Sequence, residues 1–305
     1  MKAVRFDRFG GPEVLEVREV DRPVPQPREV LVAVRAASIN PGEIAIREGR
    51  LEARWPTTLP CGEGSDLAGV VEALGADVDG FCVGDEVCGW TEQRASHAEY
   101  VVVPTGQLVS KPTSVSWEVA GSLFVASMAA YACVDAVALA PGDVVVVSAA
   151  AGGVGSFAVQ LALLRGATVI GLASGRNHAW LSASGVRPVV YGDGQEERIR
   201  EASGGRLDAL IDTFGGGYVQ LGIDLGIAPA RINTIADFEA IARLGVRGEG
   251  THAIATAERL GEVAGLVADG RLEVPIARTF PLADVADAYR ELANRTTHGK
   301  IVLLP

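Results

Sequence analysis

Val144-Val145-Val146-Val147 is a run of β-branched residues that leads into a glycine turn, Ala150-Ala151-Gly152-Gly153-Val154-Gly155, and then into the apolar stretch Phe157 to Leu164. No other stretch limits the possible folds so much. Strand, tight turn and helix in succession open a βαβ unit, and the free amides at such a helix N-terminus form an anion cradle. The turn reads A-x-G-x-x-G, a dinucleotide fingerprint with alanine at the first glycine position. Gly152 lets the backbone approach a pyrophosphate, and Gly155 lets the helix lie close to the strand, with Gly153 and Val154 between them. The plain alternative is an ordinary glycine turn, but the flanking strand and helix supply the context the fingerprint requires.

The second strand, expected over 168–173, ends at Ser174-Gly175-Arg176-Asn177. A chain that holds NAD places Asp or Glu about 20 residues past the glycines, on the ribose 2′-hydroxyl. None stands here. Ser174 offers a hydroxyl, and Arg176 a guanidinium suited to a phosphate dianion, with Asn177 and His178 beside them. The expected coenzyme is therefore NADPH; a solvated surface role is the alternative for Arg176. Further contacts are expected where later strands end, at Phe214-Gly215 and Ile235-Ala236. Tyr191 closes the third strand and either meets the adenosine end or simply packs.

At 305 residues the chain has room for two domains. Its net charge of −11 argues against nucleic acid as a partner, because phosphate backbones need a basic face. The start, Met1 to Asp7, has no apolar core of a secretory signal, which places the expected location in the cytoplasm. Val119 to Ala140 is long and apolar, but Asp135 interrupts it and Gly121, Ser122 and Ser127 dilute it. A buried helix pair is expected there, and no membrane span. The four cysteines, Cys61, Cys82, Cys88 and Cys133, form no C-x-x-C pair and read as packed small hydrophobes. His97, His178, His252 and His298 are scattered without metal-ligand spacing, and His97 reads as a turn residue.

Up to about Lys111 the chain is strand-rich and broken by Pro and Gly, with strands expected at 14–20, 29–36, 66–74, 86–88 and 100–104. After Ser116 strands at 143–148, 168–173, 188–191, 207–212 and 230–235 alternate with helices, which implies a parallel sheet covered on both faces. A helix at 282–293 and a strand at 300–304 close the chain, and that strand is a candidate to return to the first domain.

Several segments together resemble the zinc-independent quinone oxidoreductase (zeta-crystallin-like) branch of the medium-chain dehydrogenase/reductases. They are Phe9-Gly10-Gly11-Pro12-Glu13-Val14-Leu15, Ser38-Ile39-Asn40-Pro41, Gly64-Ser65-Asp66-Leu67-Ala68-Gly69-Val70-Val71, Val83-Gly84-Asp85-Glu86-Val87, Ala98-Glu99-Tyr100-Val101, the glycine motif, and Gly299-Lys300-Ile301-Val302-Leu303. The resemblance spans nearly the whole chain. It implies an α/β architecture: a GroES-like β-barrel domain from 1–116 and 278–305, and a Rossmann doubly wound parallel sheet over 117–277. It also implies NADPH in the cleft between them, a small-molecule acceptor, and a homodimer.

Zinc-dependent relatives carry Cys near Asn40 and Gly-His-Glu where this chain has Gly64-Ser65-Asp66, so no metal site is expected. Without a Lewis acid, hydride donation to an already electrophilic acceptor becomes the attractive chemistry. Asn40 matches the family's cleft asparagine and is expected to orient nicotinamide or acceptor; a turn-forming Asn before Pro41 is the other reading. Two departures matter: Ala45 stands where relatives often carry Tyr, and Ala129 where they often carry Thr. Both remove hydroxyls, so no general acid can be named. A quinone, whose reduced form takes protons from water, is favoured over an enoyl or alkenal acceptor that needs a proton on carbon. A non-catalytic NADPH-binding protein is the third class.

Overall fold

The computed structural model describes residues 1–305. Its strands, in chain order, are β1 (Lys2–Phe6), β2 (Glu16–Glu19), β3 (Glu29–Ser38), β4 (Cys61–Gly62), β5 (Asp66–Leu74), β6 (Glu86–Trp90), β7 (Tyr100–Pro104), β8 (Leu108–Ser110), β9 (Val144–Val147), β10 (Thr168–Ala173), β11 (Arg187–Val190), β12 (Ala209–Asp212), β13 (Ile232–Thr234), β14 (Ile276–Pro281) and β15 (Lys300–Leu304). The helices are α1 (Pro41–Arg47), α2 (Trp117–Ala120), α3 (Phe124–Ala136), α4 (Gly153–Leu164), α5 (His178–Ala183), α6 (Gln195–Ser203), α7 (Tyr218–Asp224), α8 (Phe238–Leu244), α9 (Ala257–Ala268) and α10 (Val285–Ala293). Two compact units result, Met1–Val125 with Thr256–Pro305, and Ala126–Ala255. The boundaries expected from sequence, 116/117 and 277/278, both lie inside the first of these units. Residues between them and the observed limits pack on that unit's strands: the Ser38 amide donates to the Gly121 carbonyl at 2.9 Å, and α9 lies against β8.

In the first unit β3 is the spine. It pairs antiparallel with β5, with β7 and, at its far end, with β15 through Val302↔Ser38 and Leu303↔Ala37. The late strand does return. Register shifts in the β3–β5 pairing, at Leu31/Val32 and at Val34/Ala36, mark bulges, which raise the local twist and curl the sheet. Val30, Val32, Val34, Leu67, Val87, Val101 and Val103 fill the inside of that curl. β7 shows the alternation that identified it, with Val101 and Val103 buried and their neighbours partly exposed.

The second unit is a five-stranded parallel sheet in the order β11-β10-β9-β12-β13. β9 is central, and its four valines are all buried, as a strand covered on both faces requires. Burying each valine side chain contributes about 1.5–3 kcal/mol, so this strand anchors the sheet. Strand order reverses at β9, where β10 lies on one side and β12 on the other. Ligands of such sheets sit at this switch point.

The apolar stretch after Val119 is indeed divided, into α2 and the 13-residue α3. The break falls at Gly121, whose missing Cβ would lie 2.5 Å from the Ala36 carbonyl oxygen of β3. No helix is long and apolar enough to cross a membrane. Three expectations need correction. The first strand, expected over 14–20, is only β2, because a turn of 3₁₀ helix occupies Pro12–Val14. Cys82 is exposed, not packed; the other three cysteines are buried and all four are free. His97 stands at a bend, as expected, but is only 1% exposed and sits in a polar core. Tyr191 is not packed either, being 51% exposed at the end of β11.

Candidate functional site

Because all strands of the second unit run parallel, their C-terminal ends form one crest. The crest carries every coenzyme residue expected from sequence: Gly152 to Gly155 after β9, Ser174, Arg176 and Asn177 after β10, Tyr191 after β11, Phe214 and Gly215 after β12, and Ile235 and Ala236 after β13.

At its centre α4 begins with Gly152 as N-cap, a residue without a side chain to cap the helix. The amides of Gly153, Val154 and Gly155 are thus left without an intrahelical carbonyl and face outward as an anion cradle. A Cβ on Gly155 would lie 2.1 Å from the Ala149 carbonyl oxygen, so only glycine lets α4 start this close to β9. Ala149 itself adopts φ 45°, the left-handed turn that redirects the chain from strand to helix.

On the neighbouring strand end three side chains converge. Arg176 donates through Nε to Ser174 Oγ at 3.3 Å, and Asn177 donates through Nδ2 to the same oxygen at 3.4 Å. Arg176 is exposed and pairs with no carboxylate. A guanidinium, an amide and a hydroxyl at one point, with no acid among them, suit a phosphate and would leave a bare ribose hydroxyl without its usual acceptor. The residues fit a nicotinamide dinucleotide.

The remaining predicted residue, Asn40, lies in the first unit and is 4% exposed. It is the N-cap of α1, and the backbone N–H of Asn40 donates to Glu43 Oε2 at 2.7 Å, a reciprocal cap that sets the helix start. Its side chain is also committed. Nδ2 donates to Asp66 Oδ2 at 2.8 Å and to Glu43 Oε1 at 3.3 Å, while Oδ1 accepts from Lys300 Nζ at 2.5 Å.

Around Asn40 the structure assembles a buried polar nest that sequence reasoning missed. Asp66 accepts from Ser38 Oγ and from the amide of Val125, each at 2.8 Å, and so caps the start of α3. Tyr289 donates to Glu43 Oε2 at 2.7 Å. The Arg47 guanidinium lies 4.4 Å over the Tyr289 ring and donates through Nη1 to Glu63 Oε1. Burial pushes the Glu63 carboxyl up to about 8, against the pull of Arg47. Burial likewise raises Glu43 and lowers Lys300, whose partners Asp66 and Glu43 pull it back. His97, whose Nε2 lies 3.2 Å from the Ser38 carbonyl, is held down to about 4 by burial.

A pH signature follows. Native Glu63 keeps a proton that the unfolded chain releases near its ordinary value of 4.5, so its contribution to stability is complete below that and is lost as pH rises through about 8. His97 acts oppositely, its contribution being complete above 6.5 and lost as pH falls through about 4. Of these two, only Glu63 titrates between 6.5 and 8. Stability is expected to fall across that window by at most about 1.4 kcal/mol per pH unit. Glu63→Gln should flatten the decline in urea melts at the two ends of the window; an unchanged slope would assign it elsewhere.

No three His, Cys, Asp or Glu side chains are grouped to hold a metal ion. Where zinc-dependent relatives place ligands, this chain has Asn40, with both amide hydrogens engaged, and Ser65.

Comparison with known proteins locates the chain. Residues 26–144 match the family model described as alcohol dehydrogenase GroES-like domain, and 184–303 the one described as zinc-binding dehydrogenase. A quinone oxidoreductase from Pseudomonas aeruginosa is 32% identical, with 100% of this chain and 99% of that protein aligned. A 2-haloacrylate reductase from a Burkholderia species is 29% identical over 99% and 98%. Among solved structures, an NAD-dependent alcohol dehydrogenase superposes with a TM-score of 0.89 at 31% identity, each chain covered in full. The Escherichia coli quinone oxidoreductase complexed with NADPH superposes with a TM-score of 0.88 at 25% identity, again over 100% of both chains.

Proposed function

The chain belongs to the quinone oxidoreductase family of the medium-chain dehydrogenase/reductases, an oxidoreductase family, and on that premise we propose that it is an NADPH-dependent, zinc-independent reductase of quinones or similar activated carbonyl acceptors. The observation that carries this reading is the crest itself: a cradle of free amides at Gly153 to Gly155, with an unpaired guanidinium at Arg176 one strand away. The coenzyme supplies the hydride when bound. The chain's residues do the rest. The α4 amides hold the pyrophosphate, Arg176, Ser174 and Asn177 hold the 2′-phosphate, and the strand-end residues Tyr191, Phe214, Gly215, Ile235 and Ala236 shape the bed between. Asn40 orients through an amide held in place by Lys300 and Asp66. No residue is assigned as a general acid, which suits an acceptor that takes its protons from water. In solution the protein acts on a small molecule, in the cytoplasm, as a homodimer.

Arg176→Ala is the direct test. Losing a charge-assisted hydrogen bond to phosphate costs about 1.5–3 kcal/mol, so kcat/KM with NADPH should fall roughly 10- to 100-fold while the value with NADH stays put. Equal wild-type rates with the two coenzymes, a live outcome given the NAD-dependent neighbour, would defeat the phosphate assignment. The similarity to a 2-haloacrylate reductase favours a second reading, reduction of an activated carbon–carbon double bond. A panel of quinones and α,β-unsaturated acids, followed by NADPH absorbance and repeated with a chelator, separates the two and tests for metal dependence.

A further inference from the structure

Asp212, the last residue of β12, is fully buried and has no cation within ion-pairing distance. An isolated buried carboxylate is costly, so what stabilises it is informative. Oδ1 accepts from Ser148 Oγ at 2.7 Å and from the amides of Phe214 and Gly215, each at 3.0 Å. Oδ2 accepts from Thr234 Oγ1 at 2.7 Å.

The two hydroxyls pass the constraint on. Ser148 Oγ accepts from the Thr213 amide at 2.9 Å, and Thr234 Oγ1 from the amides of Ala236 at 3.2 Å and Asp237 at 3.0 Å. Each hydroxyl must therefore donate to Asp212, because its lone pairs face backbone N–H groups. One acceptor-only side chain thus sets the direction of every hydrogen bond in the set. It ties together the ends of β9, β12 and β13, which carry Ala149 and the glycine turn, Phe214 with Gly215, and Ile235 with Ala236. Nothing in this set reaches the end of β10, where Ser174 and Arg176 sit.

We infer that Asp212 is a positioning residue for the coenzyme. It holds the three strand ends that bed the part of the dinucleotide beyond the adenosine, and leaves the 2′-phosphate subsite to β10. The inference rests on the reading of the crest as an NADPH site. Asp212→Asn keeps the shape but cannot accept from all the donors: its amide nitrogen must face either Thr234 or the Phe214–Gly215 amides. The Kd of the full-length variant is measured for NADPH and for 2′-AMP, which carries the adenosine and its 2′-phosphate but no pyrophosphate and no nicotinamide.

NADPH affinity should drop about tenfold or more, with 2′-AMP affinity within about twofold of wild type. Thr234→Val and Ser148→Ala each remove one relay and should give the same split at smaller size, which keeps the test available if Asp212→Asn does not fold. Unchanged NADPH affinity in the folded variants overturns the inference, as does an equal loss for both ligands, the mark of a general structural role. Wild-type protein that binds neither ligand overturns the coenzyme reading and the inference with it. Wild-type protein that binds NADPH, with variants that do not discriminate, sinks the inference alone.

Discussion

Gly155→Ala is expected to reduce NADPH affinity by about a hundredfold, the scale of loss that follows when a site is displaced by roughly an ångström. The added methyl would lie 2.1 Å from the Ala149 carbonyl oxygen and 2.9 Å from the Ala150 Cα, both backbone atoms. Neither atom can yield. The Ala149 carbonyl accepts from the Gly152 amide at 2.8 Å, Ala150 donates to Leu172 of β10 at 3.0 Å, and Ala150 is fully buried. The start of α4 must move instead, taking its free amides with it. Overpacking of this kind costs about 1–3 kcal/mol of stability, so the variant should still fold. At Gly152 a Cβ would come no closer than 3.2 Å to the same oxygen, so Gly152→Ala should fold nearly as wild type and lose affinity only by crowding the ligand. Fluorescence titration with NADPH, alongside thermal melts, checks both; wild-type affinity in Gly155→Ala would remove α4 from the site.

The second large effect is one of stability. Arg47→Ala leaves Glu63 buried without its cation and opens a cavity beneath the Tyr289 ring. Breaking a buried pair from one side costs about 3–5 kcal/mol, and the melting temperature should fall by about 10 °C. The loss should deepen from pH 6 to about pH 9, because only above about 8 does the wild-type carboxyl ionise beside Arg47, whereas the orphaned carboxyl, without that cation, is held protonated further still. Replacing both partners, as Arg47→Met with Glu63→Leu, should restore much of the stability, since apolar packing often equals or exceeds a buried ion pair. Chemical denaturation of the single and double variants at the two pH values measures this. A double variant no more stable than Arg47→Ala would refute the ion-pair account.

The crest was legible in the sequence because its signals are local. Four consecutive valines, a glycine spacing and the residues just after the next strand lie within about 35 positions, and parallel topology brings successive strand ends together without further information. The nest around Asn40 was not legible. Tyr289 and Glu43 are 246 positions apart, and Lys300 and Asn40 are 260 apart. No periodicity links an acid to a tyrosine at such distance, and a lone Glu63 reads as surface until Arg47 is seen beside it. Other omissions had signals that went unused. Asn40-Pro41-Gly42-Glu43 is a cap, a first-turn proline and a reciprocal Glu, which together announce α1. β14 gave little to read, since most of its residues are exposed and no alternation marks it. Asp212 was visible as a strand end, but its role emerged only from the donors that converge on it.

The pairing of β15 with β3 has a consequence for how the protein is made. During synthesis the entire parallel-sheet unit emerges after β3 and before β15, so it can fold while its host is still an unfinished shell. Until β15 arrives, β3 keeps an open edge near Ala37 and Ser38, and Asn40 and Asp66 wait for the ammonium of Lys300. The nascent host is thus most exposed to wrong partners at the place where its polar core is to be sealed. The final strand acts as a latch, closing a sheet edge and neutralising buried acid in one movement.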